Sequence, residues 1–190
     1  MSLDLLKLSK PLLAAATEAG FQEPTEIQAK TMSRIIGGQD VIAVGPEGCG
    51  KTTAMVMAVF TKLKYAQDPP RALILVPDKE SVLTLTEHFQ RLGKNSNIRV
   101  FGLYAGAGME GQREALAEGV DVIIGTPDRV LTLYQKSALN MGKLQMFILD
   151  DAELIIKQGF KTPVMQIAES LPKCQHLVFT EVVHLSLIHI

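Results

Sequence analysis

One segment of this 190-residue chain has the residue types and spacing of a phosphate-binding loop. Residues 45–52 read G-P-E-G-C-G-K-T, which matches the pattern G-x-x-x-x-G-K-T between an apolar run and a helix-like segment. The glycines let successive backbone N–H groups curl toward an anion, Lys51 reaches the outer phosphates, and the Thr52 hydroxyl binds Mg²⁺. The pattern therefore predicts a site for the phosphates of a nucleotide. Its candidate residues are Gly45, Gly48, Cys49, Gly50, Lys51, Thr52 and Thr53.

A second candidate group follows the apolar run F-I-L at residues 147–149. Asp150 ends this run, and a carboxylate in that place holds Mg²⁺ opposite the loop hydroxyl in phosphate-loop proteins. Acids at a junction between a strand and a helix also serve as N-caps or as partners of the helix dipole, so Asp150 alone leaves both interpretations open. Together with the phosphate loop, the sequence favours a Mg²⁺ site at Thr52 and Asp150, bound partly through water.

The elements that must position these groups alternate between apolar runs of strand length and amphipathic segments of helix length. Strands are predicted at 40–44, 71–76, 98–103, 120–125, 145–150 and 175–180, each a near-continuous Val/Ile/Leu/Phe run. Helices are predicted from Ser9 to Gly20, Pro24 to Gly37, Lys51 to Lys64 and Asp78 to Leu92, and from near Pro127 and Pro163. This alternation predicts an α/β fold with a parallel sheet, helices on both faces, and ligands at the carboxyl ends of the strands.

Composition limits the classes of function without choosing one. A net charge of −1 gives no bulk sign of nucleic-acid binding, although backbone N–H groups and helix N-termini can hold phosphates with few cations. Two cysteines are too few for a disulfide framework. No apolar stretch is long enough for a bilayer, and the N-terminus lacks the pattern of a signal peptide. We therefore expect a cytoplasmic protein without a membrane partner.

With both motifs placed, the chain resembles the DEAD-box RNA helicases from about residue 3 to residue 183. Residues 20–28, G-F-Q-E-P-T-E-I-Q, resemble the family's Q motif just upstream of the phosphate loop. The resemblance implies a RecA-like P-loop NTPase fold with ATP and Mg²⁺ as its ligands. It also implies that Phe21, Thr25 and Gln28 bind the nucleotide, with Gln28 reading the adenine edge. The family's upstream aromatic residue corresponds to Leu3, so adenine is expected to pack on an aliphatic group.

Three further segments resemble the RNA-binding motifs of the family. Residues 76–81, V-P-D-K-E-S, stand in the place of P-T-R-E-L; Gly106 and Gly108 resemble a glycine pair; and residues 125–129, G-T-P-D-R, resemble G-T-P-G-R. Each segment alone is as compatible with a helix cap, a glycine turn or a proline-initiated helix, and only their joint order favours RNA. The RNA contacts that the resemblance implies are Pro77, Lys79, Gly106, Thr126, Pro127 and Arg129.

The family's Asp-Glu-Ala-Asp tetrad reads D-D-A-E at residues 150–153. The resemblance implies catalytic roles for Lys51, Asp150, Asp151 and Glu153, but Asp151 is one methylene shorter than the glutamate that positions the attacking water. The Ser-Ala-Thr motif, which couples hydrolysis to RNA, reads T-E-V at residues 180–182, with Thr180 as the remaining coupling hydroxyl. Hydrolysis and coupling are therefore the uncertain steps, and nucleotide binding is less affected.

By the same resemblance, residues 1–184 are the N-terminal RecA-like ATP-binding domain of a two-domain protein. The second RecA-like domain, which supplies arginine fingers, is missing, so the fragment alone is expected to be inactive. Residues 185–190, L-S-L-I-H-I, are an in-frame translation of a transposon-end adapter used in sequencing libraries. We expect this tail to be non-native.

The leading prediction is an ATP-dependent RNA helicase whose partners are ATP, RNA and its own second domain. Two alternatives remain open at this point. One is a nucleotide-gated RNA-binding clamp with little or no hydrolysis, and the other is an unrelated P-loop NTPase.

Overall fold

The computed structural model describes residues 3–183 and contains six strands, one for each strand predicted from the sequence. Five of them are shorter than predicted by one or two residues in total, because the flanking residues lie outside the regular strand. Their bounds are β1 Val41–Val44, β2 Ala72–Leu75, β3 Val100–Leu103, β4 Val122–Gly125, β5 Met146–Leu149 and β6 Gln175–Thr180.

All six strands form one parallel sheet in the order β1-β6-β5-β2-β4-β3. A short 3-10 helix at Leu3–Leu6 precedes the helices that connect the strands. These are α1 Lys10–Glu18, α2 Glu26–Ile36, α3 Lys51–Leu63, α4 Lys79–Leu92, α5 Met109–Glu118, α6 Pro127–Gln135, α7 Ala152–Lys157 and α8 Lys161–Glu169.

Side chains that alternate along the strands build two separate cores, one on each face of the sheet. Ile74 and Ile148 belong to the core that contains buried residues of α1 to α4. Their neighbours Leu73 and Phe147 belong to the core that contains residues of α5 to α8. Successive strand residues point to opposite faces, so a strand buried on both sides must be apolar throughout. The predicted α/β fold with helices on both faces is confirmed.

Several helix predictions need correction. Helices α5 and α7 were not predicted: α5 is mostly polar, and α7 has only six residues. The second helix begins at Glu26 rather than Pro24, and the last begins at Lys161, so that Pro163 lies within its first turn. Ser9 stands at the N-cap of α1 but makes no side-chain cap bond.

Two further expectations concern the whole chain. No helix within residues 3–183 is long and apolar enough to cross a membrane. The predicted domain end at residue 184 and the predicted tail at 185–190 lie outside the described residues.

Candidate functional site

The two predicted sets of site residues lie on different halves of one sheet edge. The phosphate loop, Asp150 and Thr180 stand at the carboxyl ends of β1, β5 and β6, which are neighbouring strands. The candidate RNA contacts follow the other three neighbours, β2, β4 and β3. The strand order therefore divides the edge into a nucleotide half and a second half with its own loops and helix N-termini.

The phosphate loop has the backbone that its glycines permit. Gly48 and Gly50 have φ angles of 76° and 98°, in the left-handed region that side chains with a Cβ rarely adopt. A Cβ on Gly50 would also lie 2.6 Å from the Thr25 hydroxyl oxygen. Lys51 opens α3 and is buried, and its ammonium donates to the carbonyls of Gly45 and, at 2.7 Å, of Pro46. The loop therefore folds around the lysine that is expected to reach the phosphates.

The Q-motif segment is fastened to this loop through Gln28. Its side chain is only 2% exposed, its Oε1 accepts from the Thr25 backbone N–H at 2.9 Å, and its Nε2 donates to the Gly50 carbonyl at 3.2 Å. Gln28 thus links the start of α2 to the turn just before Lys51. The side chain that the resemblance assigns to adenine also holds the phosphate loop in place.

A cavity of about 820 Å³ joins most of the predicted nucleotide and catalytic residues. Gly45 and Cys49 do not line it; Gly45 contacts Lys51 from within the loop, and the Cys49 Sγ lies 3.8 Å from the Lys51 ammonium. The predicted residues that line the cavity are Phe21, Thr25, Gln28, Gly48, Gly50, Lys51, Thr52, Thr53, Asp150, Asp151 and Glu153.

The expectation for Leu3 is wrong. Leu3 is buried in the core beneath α1 to α4, and the residues that line the cavity do not include it. Phe21 lines the cavity instead, with the Arg91 guanidinium 5.9 Å from its ring centroid. The aromatic surface available to an adenine base therefore comes from the Q-motif segment itself.

Asp150 is a buried carboxylate with little compensation. It is 8% exposed, and it accepts a hydrogen bond of 3.1 Å from the backbone N–H of Asp151. Burial, together with the charge of Asp151, raises the pKa of Asp150 to about 7, although Lys51 acts in the opposite direction. A cation bound beside this carboxylate would stabilise its ionised form.

Asp151 has an unusual backbone for a residue that carries a Cβ. Its φ and ψ are 49° and 48°, the left-handed conformation, at the position that precedes α7. Burial and then the charge of Glu153 raise the pKa of this half-buried carboxyl above its usual value. Strained backbone of this kind is found at functional sites, where the surrounding fold holds it.

Glu153 in the first turn of α7 contacts Thr180 at the end of β6, beside the cavity. The fully buried Thr180 hydroxyl donates to Glu153 Oε2 or to the Val182 carbonyl at 2.8 Å, since it has a single proton to share. The structure therefore brings the predicted coupling residue into contact with the last residue of the altered tetrad, and that contact joins the first turn of α7 to the end of β6.

On the second half of the edge, a helix cap, a cation–ring contact and a glycine turn position the residues predicted to bind RNA. Asp78 caps α4 by accepting from the Ser81 backbone N–H at 2.8 Å, which fixes the turn after Pro77. The Lys79 ammonium lies 5.2 Å from the centroid of the Tyr104 ring. Gly106 follows with a φ of 95°. These residues surround the ends of β2 and β3.

The start of α6 carries polar atoms that lack partners. Thr126 Oγ1 and Arg129 Nη1 are buried, and neither has a hydrogen-bond partner within residues 3–183. Pro127 occupies the first helical position, where its missing N–H costs nothing, and the first-turn N–H groups beyond it face outward from the helix end. A helix N-terminus with spare donors is suited to an anion.

Eight residues that line the cavity were not predicted as site residues: Glu23, Glu47, Thr84, His88, Leu154, Lys157, Glu181 and Val182. Thr84 and His88 are four residues apart on α4, so they share a helix face, and that spacing was a usable signal. Lys157 on α7 and Glu181 after β6 line the same cavity from separate elements, and no local pattern indicates that they meet.

The donor set fits Mg²⁺ bound mainly through water and substrate. No group of three or more His, Cys, Asp or Glu side chains in the described part of the chain could hold a metal alone. The buried, uncompensated Asp150 carboxylate and Thr52 line the same cavity, and Mg²⁺ in nucleotide sites takes few protein ligands. The residues present therefore fit this ion.

These features define a nucleotide-binding domain of the P-loop class, with a RecA-like sheet. The family model for DEAD/DEAH box helicases matches residues 25–182, and the chain belongs to this family. The chain is 32% identical over 173 residues to the DEAD-box ATP-dependent RNA helicase CshA of Streptococcus pneumoniae, and 34% identical over 176 residues to CshC of Bacillus cereus. These matches cover 91% and 92% of this chain, but only 33% and 45% of those relatives.

Solved structures agree with the family assignment. A DEAD box protein from the hyperthermophile Methanococcus jannaschii superimposes with a TM-score of 0.95 at 27% identity. The yeast DEAD-box splicing factor Prp28 gives 0.89 at 26% identity. Both matches cover all of this chain and about half of the other, 52% and 48%. The RecA-like fold predicted from the sequence is confirmed.

Proposed function

We propose that this chain is the N-terminal ATP-binding domain of an ATP-dependent RNA helicase. One observation carries the proposal: a phosphate loop and a buried, uncompensated Asp150 line one cavity at the carboxyl edge of the sheet. The names of the curated relatives, which are ATP-dependent RNA helicases, support it.

In this proposal, ATP occupies the 820 Å³ cavity with its base toward the Q-motif segment and its phosphates in the loop. The Gln28 amide has a second N–H besides the one bonded to Gly50, and that proton is available for the adenine edge. Lys51 exchanges the loop carbonyls for the outer phosphates, and the N-terminus of α3 adds its positive dipole end.

Thr52 and Asp150 are the residues proposed to hold Mg²⁺. The ion, when bound, supplies positive charge to the outer phosphates and favours ionised Asp150. Asp151 is proposed to position the attacking water, and Glu153 acts with Thr180 rather than on the substrate. The shortened side chain of Asp151 predicts slower hydrolysis than a glutamate gives there.

RNA is proposed to bind along the second half of the edge. The spare donors at the start of α6, Thr126 and Arg129, are suited to a phosphate of the RNA backbone. Lys79 and the backbone at Gly106 extend this surface across the ends of β2 and β3. Pro77 precedes the N-cap of α4, and Pro127 is the first residue of α6; these two helices border the surface.

The contact between Thr180 and Glu153 is proposed to couple the two halves, since it lies under the cavity and adjoins β5, the strand next to β2. A second RecA-like domain is the proposed partner that completes both sites, with arginine fingers worth about 10³- to 10⁵-fold in rate. The cytoplasmic location stays a prediction.

The test is RNA-stimulated ATP turnover by the full-length protein. We expect turnover that rises with RNA and disappears in Lys51→Ala, because that change removes the charge that binds the outer phosphates. RNA that leaves turnover unchanged would contradict the proposal. ATP and RNA binding without turnover, rescued by Asp151→Glu, would instead indicate a nucleotide-gated clamp.

A further inference from the structure

Glu181 introduces a carboxylate where the family resemblance places alanine. It directly follows β6 in the T-E-V segment, and its side chain is exposed to solvent. It nonetheless lines the same cavity as Lys51 and Asp151, so its exposure is toward the nucleotide site. Glu181 is thus an acidic side chain in the wall of this site that no role described above uses.

The backbone of Glu181 makes a hydrogen bond, while its carboxylate makes none to the residues that the structure describes. The Glu181 N–H points at Glu153 Oε2 at 3.4 Å, which ties this residue to the contact between α7 and β6. Within residues 3–183, no hydrogen bond or ion pair engages the Glu181 carboxylate itself. A side chain with a fixed origin and a free end can reach a ligand without breaking an existing interaction.

Asp151 on the neighbouring strand end cannot extend in the same way. Its left-handed backbone, with φ 49°, holds it at the start of α7, and its side chain has one methylene fewer than glutamate. The Glu181 charge is among the causes that raise the pKa of Asp151, so the two carboxylates are within electrostatic range of each other. Lys51 and Lys157 supply the positive charge in the same cavity.

We propose that Glu181 is a further catalytic residue, whose carboxylate holds the attacking water together with the shortened Asp151. This inference rests on the proposed ATPase function. The water oxygen bonds to the γ-phosphorus of ATP as the bond to the β–γ bridging oxygen breaks. ADP leaves with that oxygen, and the proton released by the water passes to a carboxylate and then to solvent. Two acids that share one water perform what one longer glutamate performs elsewhere.

The experiment is a double-mutant cycle in the full-length protein. Glu181→Gln keeps the shape of the side chain and removes its charge, while Asp151→Glu restores the missing methylene. We expect Glu181→Gln to lower the RNA-stimulated kcat by about 10- to 100-fold, with ATP affinity changed by less than about threefold. In the Asp151→Glu background, the same change is expected to lower kcat by less than about threefold, because one carboxylate then suffices. Glu87→Gln, an exposed residue on α4 outside the cavity, is the matched control.

The contrary outcomes separate this inference from the function on which it rests. A kcat that is unchanged or higher in Glu181→Gln overturns the inference and leaves the ATPase intact. Equal losses in both backgrounds also overturn it, since they indicate a role independent of Asp151. Full-length protein that binds ATP without turning it over overturns the proposed ATPase activity, and the catalytic role of Glu181 with it. Failure to bind ATP overturns the proposed function itself.

Discussion

Two buried aspartates at opposite edges of the same sheet have opposite electrostatic surroundings. Asp121 precedes β4 at the amino edge and is fully buried. Asp150 follows β5 at the carboxyl edge and is 8% exposed. Burial alone would raise the pKa of both. The difference between them therefore comes from their partners.

Asp121 is surrounded by donors. Arg71 donates to its Oδ1 at 2.9 Å, Gln67 adds a backbone N–H at 2.6 Å, and Arg99 gives Oδ2 a side-chain and a backbone bond at 3.0 and 2.8 Å. Burial acts to raise the pKa of Asp121, but the hydrogen bonds from Arg99, Gln67 and Arg71 outweigh it and hold the pKa below its usual value. This network joins the starts of β2, β3 and β4 and stabilises the fold.

Asp150 has one backbone donor and two acidic neighbours, Asp151 and Glu153, and its pKa rises to about 7. Donors within the fold thus compensate the charge of Asp121 at the amino edge. Asp150 at the carboxyl edge has no such set of donors within residues 3–183, so its charge is left for a ligand to compensate. The comparison supports the proposal that the carboxyl edge gives up stability for binding, which is the usual compromise at functional sites.

The largest effect is expected from Asp121→Ala. Removing one partner of a buried ion pair leaves Arg71 uncompensated, and we expect a loss of about 3–5 kcal/mol in the free energy of unfolding. Urea denaturation at pH 7 measures it. The native contribution of Asp121 is present above the ordinary carboxyl pKa of 3.8 and is lost as the pH falls through its lower folded value. A loss below about 1 kcal/mol would show that its partners do not strongly stabilise Asp121, which contradicts the contrast drawn with Asp150.

Asp150→Asn should have the opposite sign. A folded pKa raised from 3.8 to about 7 means that stability is full below the unfolded pKa and falls as the pH rises through the folded pKa. In EDTA at pH 8 we expect the variant to be more stable by up to about 4 kcal/mol, and by less than half of that at pH 5. Urea denaturation at both pH values is the measurement, with the exposed Glu87→Gln as control. An Asp150→Asn variant less stable than wild type at pH 8 would contradict this account.

Thr180→Val tests the contact beneath the cavity. The change keeps the shape of the side chain but removes the donor to Glu153, and we expect a loss of about 1–3 kcal/mol in the free energy of unfolding. Thr180→Ser keeps the hydroxyl and should retain most of the stability. If the Thr180→Ser and Thr180→Val variants lose the same free energy of unfolding, the hydroxyl does not stabilise the protein at this position.

The smallest effect is expected at the rim of the Asp121 network. Asp68 and Arg99 form an ion pair of 2.6 Å, but their side chains are 60% and 36% exposed, so solvent screens their attraction. Asp68→Asn should change the free energy of unfolding by less than about 1 kcal/mol, measured by the same urea titration. A loss comparable to that of Asp121→Ala would show that the rim and the centre act as one unit.

Local signals explain which parts were predictable from the sequence. The phosphate loop and the strands are continuous segments, so neighbouring residues in the sequence are enough to indicate their function or their burial. Helix α5 was missed because its residues are mostly polar and include Gly111, which weakens the helical period. Helix α7 is too short for that period to be recognised.

Contacts between distant residues explain the rest. Arg71 and Asp121 are 50 residues apart, and Glu153 and Thr180 are 27 apart, so only the sheet order brings them together. Glu181 reaches the cavity for the same reason. Leu3 was misplaced because a position upstream of a motif does not say whether a side chain points into a core or a cavity.

The most direct test of the central claim is the free energy of unfolding of this chain between pH 5 and pH 8, with and without Mg²⁺ and ATP. Without ligand, we predict that stability falls as Asp150 ionises. With ligand at about 100 times Kd, we predict a gain of about 2.7 kcal/mol and a smaller fall with pH, and Lys51→Ala should remove both. Identical profiles with and without Mg²⁺ and ATP would contradict the claim that the carboxyl edge is a nucleotide site.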